Sequence, residues 1–356
     1  MALYAFGSNG SGQLGIGNTI DQSTPQRCYL SSELPGSPKM LVAGGNHTLL
    51  QYDEGTVYFA GLPRDGRLHQ SGSSMSSIPI FQRTYMSALG NKVKLCSAFW
   101  DGSIFVNSDD EVFISGLGSK GEHGTGAKSA SVTLQMLPNF PPLLHWSKVV
   151  DIACGIDHVV VVLEDGIVYG WGNGRKGQLS HPKEIVWTPR RFTDVGFKVV
   201  RAVCGREFTY LVGEPSSGQH TILGSNKWQV QSQAPASVPK WKDVGASWGS
   251  ILVLEESGKI MSWGRNDHGQ LAPHGLPHIK MIAVGSEHVI ALTREGKVIS
   301  WGWGEHGNCG SPTDENGDVR GRWNEIPNHT LDHPMRVIGV GAGCATSFFW
   351  TEDSEP

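Results

Sequence analysis

The sequence has no long apolar run. Its longest purely aliphatic stretch, Val159 to Leu163, falls far short of the roughly 18 residues that suggest a membrane span, so a soluble chain is expected. The opening segment MALYAFGSNG lacks the charged stretch, apolar core and cleavage site of a secretory leader. The expected location is therefore the cytoplasm, with the nucleus as the second candidate. There is no basic tail, and the formal charge is -4, so general attraction to nucleic acid or to an anionic membrane is not expected. The cysteines, Cys28, Cys96, Cys154, Cys204, Cys309 and Cys344, form no C-x-x-C pair and read as buried thiols in a reducing compartment.

Catalytic signatures are equally scarce. The chain carries no nucleophile elbow, no H-E-x-x-H and no P-loop lysine, and its acids stand singly, without a legible pair for general acid/base work. No catalytic set and no cofactor is expected. Glycine and tryptophan, by contrast, are plentiful, at 47 and 12 residues.

They belong to a repeat. Small residues and G-x-x-H open an apolar strand in AGGNHTLLQY (43–52), ACGIDHVVVVLE (153–164) and AVGSEHVIALTR (283–294). Weaker copies are SAFWDGSIFV (97–106), VCGREFTYLV (203–212), GASWGSILVL (245–254) and GAGCATSFFW (341–350). Most are followed by a turn at Glu54-Gly55, Asp165-Gly166, Ser257-Gly258 or Glu295-Gly296, then by a second strand. Glycine accepts the positive φ of a two-residue hairpin turn at little cost, so each unit is an antiparallel hairpin. The seventh first strand, ending at Trp350, has no sequel, and LYAFGSNG at the other end of the chain has the second-strand pattern without a first strand. An all-β fold of radially repeated small sheets follows: a seven-bladed propeller in which the two ends of the chain, about 1–30 and 338–352, share a blade. One domain, 1–356, is expected. A β-solenoid would leave both orphan strands unexplained.

A glycine loop follows each second strand. Its glycines stand five apart at Gly7/Gly12, Gly61/Gly66, Gly172/Gly177, Gly264/Gly269 and Gly302/Gly307. Two copies match G-x-G-x-x-G, but no helix pattern follows to hold a pyrophosphate, which argues against a dinucleotide site. His123, His268 and His306 each precede a loop glycine. Loops on separate blades do not by themselves supply the three or four converging ligands of a zinc site, so no metal is expected. His47, His158 and His288 share a strand register and read as partners of a neighbouring blade's backbone.

Hairpin geometry puts the glycine loops on the same face as the G-x-x-H ends. The residues assigned to the place before the His register are Asn46, Trp100, Asp157, Glu207, Trp248, Glu287 and Ala345. They should gather near the channel mouth. Trp228, Asp267, His268, Trp303, Glu305 and His306 belong to the surrounding loops. Exposed tryptophan among mixed charges is a protein-recognition composition; for Trp100 and Trp248 a channel plug is the second reading.

The units AGGNHTLLQYDEGTVYFAG and AVGSEHVIALTREGKVISWG, with loops such as GSNGSGQLG and GRNDHGQLA, resemble the regulator-of-chromosome-condensation repeat. That resemblance covers nearly the whole chain and also implies a seven-bladed propeller. YAFGSNGSGQLGIG, TPQR (24–27), WGWGEHGNCG (301–310) and GCAT (343–346) look like the family's fungal killer-toxin-insensitivity branch, whose members consist of the propeller alone. Membership would imply a heterodimer with a small CSL-type, zinc- or iron-binding electron carrier, serving diphthamide synthesis on elongation factor two and Elongator-dependent wobble-uridine modification of tRNA. Direct nucleic-acid or membrane binding is not implied. The founding member exchanges nucleotide on a Ran-type GTPase. This chain departs from it in lacking a basic N-terminal arm and a recognisable wedge, although Asp157 falls where that family places working acids. Three functions are thus on the table: carrier-binding partner, exchange factor using Asp157, Glu207 and Glu287, and a metal-dependent hydrolase using His123, His268 and His306.

Overall fold

The computed structural model describes residues 1–32, 36–62, 78–84, 92–128, 131–142, 147–327 and 336–352. Seven antiparallel sheets form a ring, five of four strands and two of three. Blades one to six begin with the strands Pro38–Ala43, Val93–Phe99, Val149–Cys154, Arg201–Cys204, Trp241–Ala246 and Ile279–Val284. Blade seven begins with Val337–Ala342. These innermost strands touch one another round the channel, and Val337–Ala342 closes the circle against Pro38–Ala43.

Closure is by the chain ends, as the orphan strands predict. Ala2–Gly7 lies between Thr346–Thr351 and Gln22–Arg27, with Ala2 opposite Thr351 and Gly7 opposite Thr346. The G-x-x-H strand is the second of each blade. In His47–Tyr52 and His158–Leu163 every residue is buried, because both faces of a central strand lie under adjacent blades. This is why Val159 to Leu163 reads as a continuous apolar run. The innermost strand and the outermost one were not legible as part of the repeat.

Two details differ from expectation. The hairpin turns hold three residues: Tyr52 N donates to Thr56 O at 2.9 Å and Gly55 N to Tyr52 O at 2.9 Å. That is a type I turn whose third residue takes positive φ, with Gly55 at φ 87 and Gly166, Gly258 and Gly296 close to it. The glycine is needed for the bulge rather than for a two-residue turn. The strand histidines reach side chains as well as backbone. Nε2 of His47, His158 and His288 lies 3.1, 3.2 and 3.0 Å from the hydroxyls of Ser103, Thr209 and Ser347, each on the next blade.

Tryptophan joins blades in the same way. The indoles of Trp171, Trp263 and Trp301 donate to the carbonyls of Glu122, Val230 and Gln270 at 2.8, 2.8 and 3.2 Å, each in the preceding blade's glycine loop. The cysteines are free thiols, and burial pushes Cys96, Cys154 and Cys309 up to about 12.

Candidate protein-binding face

One backbone bond recurs in every blade. The residue after the first loop glycine donates to the carbonyl just before the His register. These bonds are Ser8 to Ala345, Leu62 to Asn46, Leu117 to Asp101, Asn173 to Asp157, Ser225 to Glu207, Arg265 to Gly249 and Trp303 to Glu287, at 2.8–2.9 Å. The turn that makes this possible has positive φ at Gly7, Gly172 and Gly302, a conformation glycine adopts without steric cost. Loops and G-x-x-H ends therefore share one face. Gly66 lies outside the described residues.

The same bonds correct two registers. Asp101 and Gly249, not Trp100 and Trp248, stand before the His register; each tryptophan is one place earlier. The weak copies misled because in one of them the large residue moves to Phe99 and the register itself holds Gly102, opposite Gly116. His123 is also out of register. The loop glycine of its blade is Gly121, preceded by Lys120, and His123 is buried with Nε2 3.1 Å from Gly116 O.

Trp100 and Trp248 meet across the channel, ring centroids 5.8 Å apart. They line its ≈ 130 Å³ cavity with small residues such as Ala43, Ala98 and Ala246. Both remain half-buried and each extends into a second cavity on the loop face. Trp100 borders one of ≈ 380 Å³ with Asp101, Lys120, Glu122 and Asp157. Trp248 borders one of ≈ 270 Å³ with Arg206, Glu207, Lys227, Trp228 and Arg265. Plug and surface are the same two side chains.

The acids are not equivalent. Asp157 accepts from Lys120 Nζ at 2.8 Å and Asn173 Nδ2 at 3.0 Å. Glu287, buried, accepts from Gln270 Nε2 at 2.8 Å and from Arg265. Burial pushes its carboxyl up, against the pull of Gln270 and Arg265. Asp267 has the opposite balance: burial is outweighed by Arg265 and Gln270, which hold it below its usual range. Glu207 borders the ≈ 270 Å³ cavity instead.

A second cluster spans blades five to seven. Trp303 meets the His306 ring edge-on at 5.3 Å and lies 6.4 Å from that of His268. His306 Nδ1 pairs with Asp21 at 2.9 Å, and His268 Nδ1 lies 3.1 Å from both oxygens of Asp318. Arg320 also holds Asp318, which is fully buried. Glu305 is exposed beside them. His123, His268 and His306 thus face three separate partners. Among the described residues no group of three His, Cys, Asp or Glu side chains could hold a metal ion.

Sequence reasoning missed Arg206, Lys227, Arg265, Lys120, Asp318 and Arg320. Arg206 and Arg265 stand in repeat copies, CGRE and WGRN, whose other members lack a cation; that difference was a usable signal. Asp318 lies on an outer strand without a repeat pattern.

A family model described as the RCC1-like domain matches residues 2–349. The chain belongs to the RCC1-like domain family. An RCC1 repeat-containing protein of Schizosaccharomyces pombe is 30% identical over 291 residues, covering 76% of this chain and 78% of the relative. A bovine secretion-regulating guanine nucleotide exchange factor is 29% identical over 299 residues, 76% of this chain and 61% of its own length. Among solved structures, Prp20p of Saccharomyces cerevisiae superposes with a TM-score of 0.83 at 20% identity, covering 99% of this chain and 92% of that one. Human WBSCR16 gives 0.81 at 19% identity, covering 99% and 100%. The RCC1-like propeller is therefore the fold, with its loop face as candidate site.

Proposed function

We propose that this RCC1-like propeller is a non-enzymatic binding protein whose loop face takes a small CSL-type metal-binding electron carrier. Through that heterodimer it regulates diphthamide synthesis on elongation factor two and Elongator-dependent wobble-uridine modification of tRNA. The observation that carries the binding reading is a single face bearing four half-buried tryptophans, Trp100, Trp228, Trp248 and Trp303, among charged side chains. Tryptophan anchors of this kind contribute disproportionately to protein interfaces, often about 2 kcal/mol or more each. The choice of carrier rests on the resemblance of YAFGSNGSGQLGIG, WGWGEHGNCG and GCAT to the killer-toxin-insensitivity branch. Size-exclusion chromatography and calorimetry with the recombinant carrier test it. A stoichiometric complex is expected, and its absence ends the reading.

The second reading is nucleotide exchange on a Ran-type GTPase, favoured by the relative named as an exchange factor. Against it, Asp157 and Glu287 are already engaged by Lys120, Asn173, Gln270 and Arg265. Release of labelled GDP at catalytic propeller concentration separates the two: no acceleration is expected.

A further inference from the structure

Six of the seven places before the His register hold a residue with a side chain: Asn46, Asp101, Asp157, Glu207, Glu287 and Ala345. Blade five has Gly249. A β-carbon there would lie 2.8 Å from Trp228 Cδ1 and 2.8 Å from Arg265 Cβ. The missing side chain is what allows the Trp228 indole, from the loop of blade four, to lie across blade five. The indole is flanked by Arg265 at 4.7 Å and Lys227 at 5.1 Å from its ring centre. Arg206 lies 5.5 Å over the Trp248 ring on the other side of the cavity.

The three cations differ in what neutralises them. Arg265 is held by Asp267 and Glu287. Arg206 and Lys227 are exposed, and among the described residues no carboxylate lies within ion-pair distance of either. Glu207 is the one acid of the lining. The chain as a whole is acidic, at -4, so a lining with Arg206, Lys227 and Arg265 against Glu207 alone, beside two tryptophans, is a local departure.

We infer that the cavity between blades four and five binds an acidic segment of a protein partner. A carboxylate would sit between Arg206 and Lys227, with an apolar side chain against Trp228 and Trp248. A cavity of ≈ 270 Å³ has room for side-chain anchors of this kind. A nucleic-acid strand is disfavoured because a row of phosphates needs a row of cations, and here Arg265 is already held by Asp267 and Glu287, leaving only Arg206 and Lys227. Naming the CSL-type carrier as the source of the segment rests on the function proposed above; the chemistry of the pocket does not.

Two titrations separate these. In the first, tryptophan fluorescence follows a blocked Asp-Glu-Leu-Asp-Glu peptide, its Lys-for-acid counterpart and an oligouridylate. The acidic peptide should bind in a salt-dependent way and lose about tenfold or more in Arg206→Glu/Lys227→Glu, while the other two bind more weakly. Equal binding of the basic peptide, preference for the oligouridylate, or indifference to the double reversal overturns the inference. In the second, the carrier is titrated by calorimetry against wild type, the double reversal, Trp228→Ala and Arg206→Lys, each checked for folding by its urea transition. Loss of about tenfold or more in the first two variants, with Arg206→Lys retained near wild type, is expected. A complex indifferent to these variants overturns the pocket and leaves the function standing. No complex with wild type overturns the function, and the peptide titration then decides the pocket alone.

Discussion

The Phe99 ring lies directly over Gly102, where a β-carbon would be 2.1 Å from Phe99 Cζ. Four other blades make the same packing in reverse order: the His47, His158 and His288 rings fold back over Gly44, Gly155 and Gly285, with Cε1 2.3 Å from a β-carbon placed there, and the Phe208 ring folds over Gly205 with Cε1 at 2.1 Å. The choice between ring types follows the neighbour. The histidines meet the hydroxyls of Ser103, Thr209 and Ser347, whereas the next-blade residue in the corresponding place after Phe99 is Val159, which shares its apolar core. After Phe208 the corresponding residue is Ile251, again in a shared apolar core.

That relationship can be broken and rebuilt. Gly102→Ala forces the Phe99 ring and the Ser115 carbonyl aside, and should cost about 1–3 kcal/mol of unfolding free energy by urea titration. Exchanging the two, as Phe99→Gly with Gly102→His, buries an imidazole against Val159 without a partner. Adding Val159→Thr supplies the hydroxyl, so the triple variant should be more stable than the double. If the triple is no better, polarity matching is not what selects these residues.

Acid should destabilise the fold through its buried histidines. Burial lowers His288 to about 4, partly opposed by a bond to the Thr346 backbone, and lowers His158 too, against the opposing influence of Asp157 and the Phe208 backbone. The unfolded chain takes up these protons near 6.5 and the folded chain does not, so the contribution is complete above that pH and is lost as pH falls towards 4. The loss is at most about 3 kcal/mol for His288. Asp151, raised to about 6 mainly by burial, has the reverse dependence. Its contribution is present below about 4 and fades as pH rises through 6. Comparing wild type with His288→Gln cancels the Asp151 effect. The variant should show a shallower loss of stability between pH 6.5 and 4, and an unchanged slope would assign the acid sensitivity elsewhere.

Ring closure depends on Ala2–Gly7. Ala5 pairs with Phe348 on one side and Gln26 on the other, and it is fully buried. Ala5→Pro removes a ladder donor from a central strand. Limited proteolysis should then cut the variant far faster than wild type, within blade seven first. Resistance equal to wild type would mean that the other six blades hold the ring closed.

Trp303 is a half-buried side chain at the end of the strand Val298–Trp303, whose backbone is secured independently, through Trp303 N to Glu287 O at 2.9 Å. Trp303→Ala should therefore leave the urea midpoint nearly unchanged and weaken carrier binding by about 30-fold, the equivalent of a 2 kcal/mol anchor. Full affinity in this variant would confine the interface to the blade four and five side of the face.

How much was legible follows from where information sits along the chain. G-x-x-H strands, turn glycines and loop glycines recur because each blade must solve the same local backbone problem, so repetition alone counted seven blades and paired LYAFGSNG with the strand ending at Trp350. It also placed Trp228, Trp303 and Glu287 on one face, since hairpin geometry is local. Registers failed where a blade solved the packing differently: Phe99 over Gly102 displaced Trp100, and Ser247 paired with Ser250 in the blade of Trp248. Nothing local announces that His268 meets Asp318, that His306 meets Asp21, or that the space above Gly249 admits Trp228. Those contacts join residues of different blades, and only closing the ring sets their distances. The repeat pattern by itself determined the architecture, because identical backbone constraints recur in sequence; the charge and shape of the face were decided by tertiary structure, because they arise between repeats rather than within them.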